Sequence, residues 1–202
     1  MISHRHKFIF TLLPKTGTTS IVNLFKNSPL LCEGIIVGSG HERHYDKLSG
    51  SEINYFKISS CRNPFAKVVS LWKFWNWRFE RANLPTTSFS YFISNYSKMQ
   101  KKICLRFNKH DKIHFYNCVD GVALSTGNQL SHTDIDFWVK TENLQQDFNT
   151  VCDKIGIPKR ELPFLNKTNH KKYTEYYDDE TRQIVAENYA KDIEYFGYEF
   201  GQ

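Results

Sequence analysis

The sequence predicts an α/β fold: a central parallel sheet with helices on both faces. Two observations carry this expectation. Short apolar runs of strand length alternate with longer segments of helical periodicity. Strands that alternate with helices pair in parallel, because each crossover helix must pack back onto the sheet. A third observation bounds the organisation. The chain has 202 residues, and its most linker-like stretch, Pro85–Ser90, is too short to separate domains. One domain spanning 1–202 is therefore expected.

The elements follow in order. Lys7–Leu13 is apolar and closed by Pro14, which suits a buried strand. Ile21, Val22, Leu24 and Phe25 then share one side of a helix that opens near Gly17 and ends by Ser28-Pro29. Ile35–Val37 is a second short strand, closed by Gly38-Ser39-Gly40, and Tyr55–Cys61 is a third. Asn63-Pro64 starts the next helix, with Asn as the cap and Pro at the first helical position. Phe65, Val68, Val69, Trp72, Trp75 and Phe79 recur at helical spacing, so that face belongs to the core. Phe89 to His110 reads as weakly helical, and Lys112–Tyr116 and Ile135–Lys140 as strands. A helix from Asn143 to Ile155 is stopped by Gly156 and Pro158. The last helix, Asp178–Phe196, has acidic residues in its first turn and Gly197 beyond its end.

Composition narrows the partners. A net charge of +6 favours anions: a nucleotide, an acidic polysaccharide or nucleic acid. The five cysteines, Cys32, Cys61, Cys104, Cys118 and Cys152, include no C-x-x-C pair, so they read as reduced thiols. His4 and His6 read as tail residues. No run approaches the about 18 apolar residues of a membrane span, and the first ten residues lack a signal-peptide core. The expected compartment is the cytoplasm, or a lumen if the domain has been separated from an anchor. Asn95-Tyr96-Ser97 and Asn166-Lys167-Thr168 are glycosylation sequons, which matter only in a secretory protein.

The chemistry concentrates in Pro14-Lys15-Thr16-Gly17-Thr18-Thr19-Ser20, where the first strand runs into the first helix. The first N–H groups of a helix lack internal partners, and the helix dipole adds partial positive charge there. A phosphate suits that place, helped by the hydroxyls of Thr18, Thr19 and Ser20 and by Lys15. The triphosphate-binding pattern G-x-x-x-x-G-K-[ST] is not met, because the lysine precedes the glycine and no Lys-Ser or Lys-Thr follows it. A second anion site is suggested by Phe56–Trp72. There Arg62 stands at a strand end and Ser70 in the following helix.

Taken together, the two motifs resemble those of the sulfotransferases that use 3′-phosphoadenosine-5′-phosphosulfate (PAPS), most of all the Golgi-type and bacterial carbohydrate branch. The resemblance extends to "DFWVKTENLQQDF", Asp136–Phe148, and to Leu165–Phe200. It implies a P-loop-like three-layer fold. It also implies that Lys15, Thr16, Gly17, Thr18, Thr19 and Ser20 hold the 5′-phosphosulfate and that Arg62 and Ser70 hold the 3′-phosphate. Lys167–Lys172 corresponds to a segment folded over the nucleotide, which makes Lys167 a binding candidate and leaves His170 between a structural and a cofactor role. One departure is Lys67, where the family usually has arginine: the charge is kept and the fork is lost. The implied activity is transfer of a sulfuryl group from PAPS to an acceptor hydroxyl on a carbohydrate, without a metal, leaving 3′-phosphoadenosine-5′-phosphate (PAP).

Such a transfer needs a cation for the leaving phosphate oxygen and a base for the acceptor hydroxyl. Lys15 suits the first task. For the second, "GSGHERHYDKL", Gly38–Leu48, follows a strand end, where ligands gather in open parallel sheets. His41 corresponds to the base of some carbohydrate sulfotransferases, with His44 and Glu42 as rivals. Two other functions compete. An ATP-dependent small-molecule kinase would need a Walker-type lysine and a Mg²⁺ carboxylate, neither evidently placed. A non-enzymatic module for nucleic acid or acidic glycan would expose its aromatics among basic residues, whereas Phe65, Trp72, Trp75 and Phe79 follow a core stripe. Trp75, Trp77, Arg78 and Arg81 fit either a sugar cleft or ordinary helix packing. The oligomeric state and the acceptor's identity are not legible.

Overall fold

The computed structural model describes residues 1–27, 35–36, 50–96, 98–99, 135–163 and 171–202. These form two compact units, one of Met1–Arg62 with Cys118–Thr168, the other of Asn63–Asn117 with Asn169–Gln202.

The first unit is built on a five-stranded sheet. Its strands are β1 (Ile2–Ser3), β2 (Phe8–Thr11), β3 (Ile35–Ile36), β4 (Phe56–Cys61) and β5 (Phe137–Lys140), in the spatial order β3-β1-β2-β4-β5. β2, β4 and β5 are parallel, with Phe10 opposite Ile58 and Ile58 opposite Phe137. The α/β class is as expected, but the sheet is mixed. β1 pairs antiparallel with both β2 and β3. The amino end is therefore sheet rather than tail: the chain turns through His4–Lys7, Lys7 takes a left-handed φ of 50°, and Ile2 and Ser3 are buried. His4, exposed on that turn, has Nδ1 3.1 Å from the Tyr55 hydroxyl.

Side chains alternate across a strand, which puts Phe8, Phe10, Ile58 and Val139 on one face of the sheet. Two helices pack on that core, α1 (Thr18–Asn27) through Ile21 and Phe25 and the helix Leu144–Ile155 through Phe148, Val151 and Cys152, joined by Met1, Ile157 and Leu162. Phe25 meets Phe8 at 5.7 Å and Phe148 edge-on at 6.0 Å. Burying each such ring stabilises the fold by about 1.5–3 kcal/mol. The helix at 144–155 ends where expected, because Gly156 turns into the left-handed region at φ 69° and donates its N–H to the Cys152 carbonyl. Cys61 and Cys152 are buried, and burial pushes the Cys152 pKa up to about 11.

The second unit is helical. Its helices are α2 (Pro64–Arg81), α3 (Phe89–Ser94), α5 (Asp179–Asn188) and α6 (Ala190–Phe196); α4 is the helix Leu144–Ile155 of the first unit. α2 starts as its Asn-Pro signal requires: the Asn63 side chain accepts from the Phe65 N–H. Its expected core stripe is buried at Phe65, Val68, Val69, Trp75 and Phe79, with Trp72 half-buried. The weakly helical stretch contains α3, capped by the Ser88 hydroxyl on the Tyr91 N–H.

The single carboxyl-terminal helix expected from the sequence is two. At Tyr189 the backbone takes φ −115°, ψ 20°. The Tyr189 N–H still donates to the Val185 carbonyl, and the Ile193 N–H to that of Tyr189. The ladder therefore runs through a bend, and the apolar periodicity that reads as one helix is preserved. Asp178 caps α5: its carboxylate accepts from the Thr181 hydroxyl and from the Thr181 N–H, and these two bonds, the hydroxyl's first, hold it below the usual carboxylate range. The predicted strand Lys112–Tyr116 lies outside the described residues.

Candidate anion-binding site

Three parallel strands end side by side, with Thr11 opposite Ser59 and Cys61 opposite Lys140. The loop 12–17 follows β2, Arg62 follows β4 and Thr141 follows β5. In such sheets, ligands bind beyond the carboxyl ends of the strands.

The loop is shaped by its own polar groups. Leu13 turns its carbonyl toward two hydroxyls, accepting from Thr16 Oγ1 at 2.8 Å and Thr18 Oγ1 at 3.3 Å. Thr16 and Ser60 hydroxyls lie 2.6 Å apart. Since Thr16 has already given its one hydrogen to Leu13, Ser60 donates to Thr16. Thr16 and Ser60 are both buried, so this pair ties the loop to the middle strand of the parallel set. The candidate hydroxyls therefore divide. Thr16 and Thr18 hold the loop, Thr19 is exposed, and Ser20 is buried in the first turn of α1, its N–H on the Gly17 carbonyl.

Gly17 has φ 76°, which favours glycine. A Cβ there would also come within 3.1 Å of Leu144 Cδ2 and 3.7 Å of Thr141 Cγ2. Lys15 is left-handed as well, at φ 65°, a costly conformation for a residue with a side chain. Its carbonyl accepts a hydrogen bond from Arg62 Nη1 at 3.3 Å. Two cations thus meet at the strand ends. Burial first, and the Arg62 charge second, lower the Lys15 pKa from 10.5 to about 8. The first turn of α1 contains no acidic residue to compete for its N–H groups. Lys15, Gly17, Arg62 and the start of α1 form a place suited to a multiply charged anion.

The other candidates fall elsewhere. Ser70 lies half-buried on α2 in the second unit. Lys67 is buried there too, its Nζ 5.4 Å from the centre of the Tyr189 ring. Trp75 is buried, whereas Trp77 is 51% exposed with the Arg81 guanidinium 5.1 Å from its ring centre. His41, Glu42, His44, Lys167 and His170 lie outside the described residues. Among the described residues, no three His, Cys, Asp or Glu side chains gather as a metal would require, and no helix is long and apolar enough to cross a membrane.

Reading the sequence missed Ser60 and Thr141. A signal for Ser60 was present. It continues the apolar face of Phe56 and Ile58 at period two, where a hydroxyl needs a partner. Thr141 carries no such mark.

Comparison with known proteins fits this geometry. The model of the sulfotransferase family matches residues 1–199, nearly the whole sequence. The chain therefore belongs to the sulfotransferase family, enzymes that transfer a sulfuryl group to an acceptor. Searches of curated proteins and of solved structures each returned no match.

Proposed function

We propose that this protein is a single-domain sulfotransferase that uses PAPS as donor and sulfates a hydroxyl on a carbohydrate, without a metal. The observation that carries the donor assignment is the meeting of Arg62 with the Lys15 carbonyl at 3.3 Å, beside a left-handed Gly17 and a helix start free of acidic residues. A singly charged ligand would not need two cations there. A donor with phosphates on both the 3′ and 5′ positions makes use of both.

Bound there, PAPS would supply an already activated sulfuryl group on a good anionic leaving group. The loop N–H groups from Gly17 into α1, with Thr19, hold the 5′-phosphosulfate. Thr16, Thr18 and Ser20 serve the same ligand by shaping the loop and the first turn. Arg62 and Ser70 hold the 3′-phosphate, and Lys167 binds the nucleotide, the roles that the family resemblance implies for them. The Lys15 ammonium stabilises negative charge as it grows on the leaving oxygen. His41 takes the proton from the acceptor hydroxyl, a task that suits an imidazole because its ordinary titration range lies near neutrality. The carbohydrate acceptor rests on the family branch that the motifs resemble. Exposed Trp77 and Arg81 are consistent with it, because a flat ring beside a cation suits an acidic sugar. The compartment in this reading is the cytoplasm, or a lumen if the domain has been separated from an anchor.

Titration of PAP, ATP and a DNA oligomer against the protein tests the donor directly. The expected result is saturable PAP binding that is far tighter than ATP binding and survives moderate salt. Preference for ATP would point to a kinase. DNA binding that falls steeply with salt would point to a nucleic-acid module.

A further inference from the structure

Thr141 touches both halves of the anion site without belonging to either. Its Oγ1 donates to the Cys61 carbonyl at 2.9 Å, on the peptide that leads into Arg62. Its Cγ2 lies 3.7 Å from the point where a Gly17 side chain would begin, and Leu144, on the next turn, lies 3.1 Å from the same point. The three contacts come from the end of β5 and the start of α4, so one rigid corner faces both the glycine of the loop and the strand end before Arg62. The corner is itself braced: the Asp147 carboxylate accepts from the Lys140 N–H at 2.7 Å, just before Thr141.

We propose that Thr141 is a positioning residue that sets the spacing between the two anion-binding elements, its hydroxyl acting on the Arg62 end and Leu144 acting on the loop end. Such a residue acts through others and makes no contact with the ligand. The division of labour has a consequence. Removing the hydroxyl loosens the Cys61–Arg62 peptide and leaves the packing on Gly17. Trimming Leu144 loosens the loop and leaves the peptide held.

This inference rests on the PAPS reading and is tested by ligand binding rather than turnover. The ligands are PAP, which carries a 3′-phosphate, and adenosine 5′-phosphosulfate, which lacks it. Thr141→Val keeps the shape and removes the hydrogen bond. It should weaken PAP about 3–10-fold, the range expected when a neutral hydrogen bond near a charged contact is lost. It should leave adenosine 5′-phosphosulfate within about twofold of the wild type. Thr141→Ser, which retains the hydroxyl, should restore the wild-type ratio of the two affinities. Leu144→Val should weaken both ligands by the same factor.

A merely structural Thr141 would lower the melting temperature and leave the affinity ratio unchanged. That outcome for Thr141→Val overturns the proposal. If Thr141→Val does not fold, a Leu144→Val variant that loses PAP selectively overturns it instead, because the loop end would then be governing the 3′-phosphate. A wild-type protein that binds neither ligand sinks the donor reading itself. A wild type that binds PAP with a Thr141→Val variant of unchanged ratio sinks only the role given to Thr141.

Discussion

Lys15 combines a left-handed backbone with a half-buried side chain, and each has a measurable consequence. With its pKa lowered to about 8, Lys15 is mostly charged at pH 7 and neutral well above pH 8. If its charge stabilises the leaving oxygen, kcat/KM should fall as pH rises through about 8. A bound anion favours the charged form, so the fall in kcat should lie at higher pH than the fall in kcat/KM. Lys15→Met should lower kcat much more than donor affinity, and single-turnover kinetics beside PAP titration would separate the two. A normal kcat with only a raised Michaelis constant would make Lys15 a binding residue. At Gly17 the constraint is steric. Gly17→Ala should cost about 1–2 kcal/mol for the left-handed conformation alone. Crowding against Leu144 adds to this. The melting temperature should drop by about 2–8 °C before that crowding is added, on the basis of about 2–4 °C per kcal/mol for a chain of this size. An unchanged melting temperature would mean that the loop relaxes freely. His41→Ala, for its part, should slow transfer by about 10²–10⁴-fold and remove the acidic limb of the pH profile, with PAP binding intact. If the variant transfers at the wild-type rate, Glu42 or His44 becomes the candidate base.

Among the elements, α2 shows how a local signal is completed by a distant one. Asn63 is buried, its Oδ1 caps the Phe65 N–H, and its Nδ2 donates to the Glu199 carbonyl at 2.9 Å. The cap was legible from Asn-Pro alone, because capping involves residues two or three apart. The bond to Glu199 was not, because its partner is 136 residues away. Asn63→Ala should therefore cost more than an ordinary cap. The expected loss is about 1–3 kcal/mol, the sum of a cap and one further hydrogen bond. Asn63→Ser can still cap but cannot reach Glu199, so it should fall between Asn63→Ala and the wild type. Urea titrations of the three proteins would rank them, and equal stability of the Ala and Ser variants would remove Glu199 from the explanation. The bend at Tyr189 makes a related point. Periodicity reports which side of a helix is apolar, and a bend that keeps the hydrogen-bond ladder running leaves that pattern unchanged.

For the whole molecule, ligand binding and stability are linked. A ligand at about 100 times its dissociation constant stabilises the folded state by about 2.7 kcal/mol. For a protein of this size that is a rise of about 5–10 °C in the transition that unfolds the unit holding Lys15, Gly17 and Arg62. PAP should produce that rise in a calorimetric scan, and ATP at equal concentration should produce much less. Equal shifts from both would mean that the site reads phosphate charge without reading the 3′-phosphate. Because the described residues form two compact units, the scan should be inspected for two transitions, and the shift assigned to the unit that carries the loop.

The α/β class, the loop ahead of α1, the start of α2 and the glycine stop of α4 were all settled by the sequence itself. Each depends on residues within about a turn of one another: a strand alternating with a helix pattern, a helix start rich in Thr and Ser, Asn before Pro, Gly after the last apolar position. The two motifs from which the candidate anion site is drawn are likewise short stretches, visible without the fold. What the tertiary structure alone decided is which of these pieces meet. Thr16 reaches Ser60 across 44 residues, Arg62 reaches Lys15 across 47, and Thr141 reaches Cys61 across 80. The strand β1, too, exists only because β2 and β3 are there to pair with it. Periodicity tells a side chain which face to take, but a hydrogen bond of about 3 Å also needs the strand register. Register is set by the packing of α1 and α4 on the whole sheet, and no local stretch of the sequence contains it.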